Sequence, residues 1–520
     1  MSVRKLLVSV IIAVNIISCI GILFTCTQHF EDSKRTAYNL SEYIASLNGY
    51  NELKRISVRL KDQISEECNR NTTPLPNPVS MYKYARTVNE ALSPIRDIIY
   101  KTDDVLLKET MISFISNLPT GADVEGVLLS FVRLQNTYNV SSRDMACGYI
   151  LGIKVPTLTA FDCFDIGLFM FKKGYNRLAI QWFFTTLTKQ QEIKSTQQNI
   201  KIFRSIVIGL IENAKRQEIK AEKETRMRIA FTTLQKDDDS KFKQNLTAEL
   251  HAMVKNKTIK FYGPEQDRNL KVNKNYEFLC RRQILYSQGY CKYLSYPFIG
   301  FYYRPIKIEI INKSPRIIVV HDIINVDVIS HFTAKSFQLS RSEVVNIKSR
   351  TINDSNVQSE HRTSSTFKYL DDTDYPAVGR LNNFLERLTG LKMNNKQADH
   401  FQIVNYGIGG EYKPHYDWVE ERYVSSRMHT GTNRILTVLF YLSDVEVGGS
   451  TVFPHLNIAV PPKKGSALFF TNLDETGHGD SLTLHAGCPV FFGSKWIANK
   501  WVHTKDQDMN FLQTVPSVWM

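Results

Sequence analysis

No C-x-x-C pair occurs anywhere in the 520 residues, so neither a paired-cysteine zinc site nor a thioredoxin-like redox motif is indicated. No nucleic-acid-binding motif accompanies the formal net charge of +14; the lysines and arginines are spread along the chain, and the charge reads as a solvated basic surface with no nucleic-acid partner. Long low-complexity tracts are missing as well. With 43% hydrophobic residues the chain has enough apolar material for several globular cores, which excludes a disordered class. The C-terminus, Pro516-Ser517-Val518-Trp519-Met520, carries no retention signal of the KDEL type.

What is present begins at the N-terminus. Arg4 and Lys5 precede an apolar stretch from Leu6 to Cys26, a charged n-region followed by an h-region. The stretch is long enough to cross a bilayer, but Asn15 and the lack of a basic flank after it favour a cleaved signal peptide, with no stable membrane span expected. The rest would enter the secretory lumen. Sequons at Asn39, Asn71, Asn139, Asn245, Asn256 and Asn353 agree with that. Cys280 and Cys291, eleven positions apart, are the expected disulfide in an oxidising lumen.

From Arg35 to Glu109 apolar residues recur at three- and four-residue steps, as in Leu53, Ile56, Leu60 and Ile64, which predicts a helical hairpin or coiled-coil arm. Pro74, Pro76 and Pro78 interrupt it, and Pro94 marks a further break or helix start. Between Leu158 and Gln190, Ile166-Gly167, Ala179 and Phe183 fall at the spacing of a tetratricopeptide-type helix pair, with aromatics such as Tyr175 as candidate peptide contacts. A shifted echo at Ile208-Gly209 and Ala221 predicts at best a degenerate second repeat. The charged stretch from Lys215 to Lys274 reads as linker with helical pieces.

Beyond Pro315 the period changes to two. Phe401–Tyr406 alternates, Arg434–Leu442 is a long β-branched and aromatic run, and glycines punctuate the segments, which predicts short strands in a β-barrel or jelly roll. His415-Tyr416-Asp417 follows one of these strands. Residues two apart in an extended chain share a face, so an imidazole and a carboxylate can reach one metal, with His485 as the third ligand. Two histidines and a carboxylate form the facial triad of iron(II) oxygenases, which leaves positions open for cosubstrates. Taken alone, H-x-D is a common surface turn. A cation strengthens the reading: Lys495 follows the apolar stretch Val490-Phe491-Phe492 and needs an anion, such as the distal carboxylate of 2-oxoglutarate.

The last ~200 residues resemble the catalytic domain of collagen prolyl 4-hydroxylase alpha subunits. The likeness rests on Asn405-Tyr406-Gly407, Pro414-His415-Tyr416-Asp417, Phe440-Tyr441-Leu442-Ser443-Asp444-Val445, Gly448-Gly449-Ser450-Thr451-Val452-Phe453-Pro454, His485-Ala486, Cys488-Pro489-Val490, Lys495-Trp496 and Asn499-Lys500-Trp501. Leu134–Asn139 and Leu158–Phe164 extend it toward the N-terminus. The resemblance implies that His415, Asp417 and His485 hold iron, that Lys495, Tyr406 and Thr437 bind 2-oxoglutarate, and that Trp501 lies near the substrate proline. It further implies O2 and L-ascorbate, 4-hydroxylation of proline-rich or collagen-like peptides with release of succinate and CO2, and residence in the endoplasmic reticulum lumen. A protein disulfide isomerase beta subunit is the implied partner, in a heterotetramer of two alpha and two beta chains. Cys488 matches a family cysteine whose usual partner near the C-terminus is absent here, so that bridge is expected to be lost.

The architecture expected is therefore multidomain: N-terminal all-α regions, a coiled-coil-like arm plus a tetratricopeptide-like unit, then a C-terminal double-stranded β-helix. The boundaries are a signal peptide over 1–26, a helical dimerisation domain over 27–145, a peptide-binding domain over 146–240, a linker with the Cys280–Cys291 bridge over 241–315, and the dioxygenase domain over 316–508. Two other readings stand beside it: the same machinery acting on another peptidyl residue such as lysine, and a non-catalytic peptide-binding subunit. The tetratricopeptide-like unit speaks against the first, the intact ligand set with Lys495 against the second.

Overall fold

The computed structural model describes residues 27–47, 51–58, 61, 76–193, 195–234, 265–282, 289–294, 305–334, 340–341, 344–345, 356–357, 362–368, 375–394, 396–421, 423–424 and 431–513. The signal-peptide expectation for 1–26 lies outside the described residues. Among them, no helix is long and apolar enough to cross a membrane. The chain forms two compact units, Met1–Tyr138 with Tyr276–Met520, and Asn139–Asn275.

The first unit opens with helices α1 (Thr27–Ser46), α2 (Pro78–Lys101), α3 (Val105–Ile115) and α4 (Gly121–Tyr138). Pro78 starts α2 rather than merely interrupting the pattern: it occupies the first turn, where no donor is lost, and the Asn77 side chain accepts from Ser80 N–H. Pro94 lies inside α2, so the break expected there does not occur. Tyr82 of α2 packs against Phe131 of α4 with centroids 5.8 Å apart.

Two antiparallel sheets follow. The larger has nine strands: β1 (Tyr290–Leu294), β2 (Ile306–Asn312), β3 (Ile317–His321), β4 (Ser340–Arg341), β5 (Ser365–Lys368), β6 (Gln402–Tyr406), β8 (Arg434–Tyr441), β11 (Ala467–Thr471) and β13 (Lys495–His503). The smaller has four: β7 (Tyr412–His415), β9 (Thr451–Phe453), β10 (Ile458–Val460) and β12 (His485–Gly487). The larger runs in the order β1-β2-β3-β11-β8-β13-β6-β5-β4 and the smaller β7-β12-β9-β10, a double-stranded β-helix. β1 and β2 are already sheet strands, so the expected boundary at 316 is corrected: the stretch read as linker contributes two strands.

Strand β8 is apolar apart from Arg434 and Thr437 because both of its faces are covered. Leu436, Val438 and Phe440 join a core with Phe332 of a helix over Val326–Ala334 and Leu385 of another over Pro376–Thr389. Leu439 and Tyr441 point the other way, into a second core with Tyr406, Phe453 and Phe470. Helix α9 (Glu265–Arg281) presses Tyr276, Leu279 and Cys280 against Val452, Ala459 and Ala486 of the smaller sheet.

That packing corrects the expected Cys280–Cys291 pairing and gives Cys488 a partner the sequence did not indicate. Cys280 bonds Cys488, with Cα atoms 5.5 Å apart, and Cys291 is an exposed free thiol. The reason is positional: α9 lies on the smaller sheet, while Cys291 sits on β1, the edge strand of the larger one, opposite Glu309. The bridge spans 208 residues, and the chain-entropy limit for so long a loop is about 5 kcal/mol. Non-reducing peptide mapping should recover a Cys280–Cys488 peptide and an alkylatable Cys291; a Cys280–Cys291 peptide would refute the assignment.

In the second unit, α5 (Ser142–Cys147), α6 (Ala160–Lys172), α7 (Asn176–Thr188) and α8 (Gln197–Leu234) are helical. Thr159 and Asp162 form a reciprocal capping box at the start of α6. A Cβ at Gly167 would sit 2.8 Å from the Phe183 ring, and Ala179 and Phe183 are fully buried, as the helix-pair spacing predicts. Among the described residues the shifted echo forms no second hairpin. Ile208, Gly209 and Ala221 lie within one 38-residue helix, and a Cβ at Gly209 would meet nothing within 4 Å, so no partner helix among the described residues approaches there. The stretch from Lys215 to Leu234, part of the segment read as linker with helical pieces, is the end of this helix.

Candidate metal centre

Strands β7 and β12 pair so that His415 stands directly opposite His485, and both imidazoles reach the same side. Asp417 follows two residues after His415 and is buried. One donor atom from each of these three residues falls within 4.8 Å of the others, and among the described residues no other such group of His, Cys, Asp or Glu occurs. His415 Nε2 is 3.8 Å from one Asp417 oxygen and His485 Nε2 is 3.7 Å from the other. Those gaps are too long for hydrogen bonds, yet two donors about 2.1 Å from a common ion span them.

The tautomers suit a metal. His415 Nδ1 donates to the Lys413 carbonyl at 2.8 Å, and His485 Nδ1 donates to the Thr483 carbonyl at 3.0 Å. Each Nε2 lone pair is thereby left facing Asp417. Burial and then the neighbouring His485 hold the His415 pKa down to about 3, so its imidazole is neutral at physiological pH, the form a metal ligand needs. Burial opposes the Asp417 charge, but His485, His415 and Arg434 outweigh it and bring the carboxyl to about 2.

Two residues that the resemblance assigned to cosubstrate and substrate touch Asp417 directly. Thr437 Oγ1 donates to Asp417 Oδ2 at 2.8 Å and accepts from Asn472 at 2.8 Å; Trp501 Nε1 donates to the same oxygen at 2.9 Å. Their register explains it, since Thr437 on β8 stands opposite Trp501 on β13. Trp501→Phe removes one donor behind a ligand. Metal affinity should fall about ten- to hundredfold; equal affinity by metal titration would show that the contact does not orient Asp417.

Lys495, at the start of β13, is only 2% exposed. Its Nζ reaches Thr451 Oγ1 at 3.4 Å and lies 5.7 Å from the ring centres of Tyr406 and Tyr441. No carboxylate pairs with it among the described residues, and burial alone lowers its pKa to about 7. Its walls are thus aromatic and hydroxylic, and the cation awaits an anion.

Sequence reasoning missed Arg362, buried with its guanidinium 4.9 Å from the Tyr412 ring, whose other neighbour, His415, stacks at 3.5 Å. It also missed Asp399, which takes His503 and Arg434 at 3.1 and 3.2 Å. Neither stands in a motif; only the sheet register brings them to the centre. Tyr175 lies in the other unit, 37% exposed, just ahead of α7.

The family comparisons agree with this geometry. Residues 29–152 match the prolyl 4-hydroxylase alpha-subunit N-terminal region, and residues 401–503 match the 2OG-Fe(II) oxygenase superfamily. The Homo sapiens prolyl 4-hydroxylase subunit alpha-1 is 30% identical over 83% of this chain and 83% of its own length. The chain belongs to the prolyl 4-hydroxylase alpha-subunit family. The Caenorhabditis elegans subunit alpha-2 is 30% identical over 78% of each chain, and the Rattus norvegicus subunit alpha-1 is 28% identical over 91% of this chain and 92% of its own. As a member of the prolyl 4-hydroxylase alpha-subunit family, the chain is a 2-oxoglutarate- and iron(II)-dependent prolyl hydroxylase.

Proposed function

We propose that His415, Asp417 and His485 hold the iron(II) and that Lys495, with Tyr406 beside it, holds the distal carboxylate of 2-oxoglutarate. The observation that carries this is the convergence of two imidazoles, each with Nδ1 committed to a backbone carbonyl, and one ionised carboxylate beside a buried lysine with no acidic partner among the described residues. With three protein ligands, a bound ion would keep coordination positions open for the 2-oxo acid and dioxygen. Bound iron(II) supplies the oxygen activation that is coupled to decarboxylation of the cosubstrate. The chain's own residues do the rest. Lys413 and Thr483 carbonyls fix the imidazole tautomers, Thr437 and Trp501 fix the carboxylate, and Phe453 and Phe470 wall off His485 with ring centres 5.9 and 4.7 Å away.

The substrate is a proline-rich, collagen-like peptide hydroxylated at C4 of proline, with Trp501 at the substrate side and the α6–α7 pair, including Tyr175, as its peptide-binding element. The partner is a protein disulfide isomerase beta subunit in the endoplasmic reticulum lumen, with ascorbate as the reductant that restores the iron. The signal-like N-terminus and the sequons support that compartment. A peptide panel tests the substrate. A Pro-Pro-Gly repeat should gain 4-hydroxyproline, read by mass spectrometry, faster than a proline peptide without the repeat; preference for a lysine peptide would overturn the reading.

A further inference from the structure

Helix α4 touches the two glycine turns that flank the cosubstrate residues. Arg133 Nε donates to the Gly409 carbonyl at 2.6 Å, and Ser130 lies so close that a Cβ at Gly409 would overlap it. Five residues after Arg133, at the end of the same helix, the Tyr138 hydroxyl donates to the Pro489 carbonyl, its ring meets Phe491 edge-on at 5.4 Å, and a Cβ at Gly448 would come within 2.5 Å of its oxygen. The first glycine turn starts at Tyr406 and is closed by Gly410 N–H on the Gly407 carbonyl and Gly409 N–H on the Val490 carbonyl, both at 2.7 Å. The second lies against Lys495: a Cβ at Gly449 would be 3.5 Å from its Cδ. Gly449 N–H also donates, at 3.2 Å, to the Pro489 carbonyl that takes the Tyr138 hydroxyl. Arg281 braces the end of the helix through the Thr137 and Asn136 carbonyls at 2.6 and 3.1 Å, next to the Cys280–Cys488 bridge.

We propose that α4, on the N-terminal side of the chain, is a working part of the cosubstrate pocket, with Arg133 and Tyr138 as positioning residues that hold Tyr406 and Lys495 in place for the dicarboxylate. This rests on the reading that Tyr406 and Lys495 receive 2-oxoglutarate. The polar anchors of the helix fall on the two turns that carry or abut those residues, whereas the ligands His415 and His485 lie on strands it does not grip through these anchors. A loosened seam should therefore weaken 2-oxoglutarate selectively.

The test is calorimetric titration of 2-oxoglutarate into the manganese(II)-loaded full-length protein, with manganese affinity measured on the same samples. Tyr138→Phe and Arg133→Gln should each weaken 2-oxoglutarate about five- to tenfold, the scale of one lost hydrogen bond, with manganese affinity unchanged within about twofold. Lys495→Ala serves as the reference. If it loses 2-oxoglutarate while both helix variants bind like the wild type, the helix merely packs and the proposal fails. A parallel loss of manganese and 2-oxoglutarate in both helix variants also overturns it, because it marks general destabilisation. Normal binding by Lys495→Ala overturns the pocket assignment and the proposal together.

Discussion

His415→Ala leaves a folded protein that neither retains iron nor turns over. The side chain lies at the end of β7, outside the hydrophobic cores, so little packing is lost. Two donors then remain where three are needed to keep the ion bound with its cosubstrate positions open. Loss of a ligand should cost more than the roughly ten- to hundredfold that removal of a group behind a ligand costs. Asp417→Ala and His485→Ala should behave alike, the first with an added penalty: Thr437 and Trp501 each lose their shared acceptor. Metal content after desalting, with a thermal melt on the same sample, checks this. Wild-type iron content in any of the three variants removes that residue from the centre.

Lys495→Ala should raise the apparent Michaelis constant for 2-oxoglutarate by about 30-fold to several thousandfold, since breaking a desolvated charge pair costs roughly 2–5 kcal/mol. Burial draws this ammonium down to about 7, so at neutral pH it is partly discharged until an anion arrives and favours the charged form. Iron binding should survive. Lys495→Arg should rescue only in part, because a planar guanidinium does not fit a space shaped by Tyr406, Tyr441 and Thr451. Arg434 offers no substitute, being committed to Asp399 at 3.2 Å and stacked on Trp501 at 4.1 Å. Unchanged 2-oxoglutarate dependence in the alanine variant would move the anchor elsewhere.

The centre was legible in the sequence because its chemistry is concentrated in short strands. His415 and Asp417 share a face by the period of two, and the apolar stretch before Lys495 marks it as a buried lysine. The long apolar run of β8 and the small residues Gly167 and Ala179 likewise announced their packing. The contacts that cross between elements were not legible. Cysteine pairing depends on where α9 lands, and nothing local distinguishes Cys291 from Cys488 as the partner of Cys280. Gly409 and Gly448 read as turn punctuation, with φ values of 67° and 86°, yet each also makes room for a side chain of α4. The apparent second repeat failed because Gly209 and Ala221 alone do not specify a partner helix. Thr437 and Trp501 were singled out, but only the β8–β13 register put both on Asp417.

The most direct test follows succinate and 4-hydroxyproline in one reaction of the iron-loaded full-length protein with 2-oxoglutarate, dioxygen and a Pro-Pro-Gly repeat peptide. Hydroxyproline should form with one succinate per hydroxyl, the new oxygen should carry label from 18O2, and both products should vanish in His485→Ala. Peptide left unmodified by metal-replete wild-type protein, or hydroxylation that persists without 2-oxoglutarate, would contradict the account.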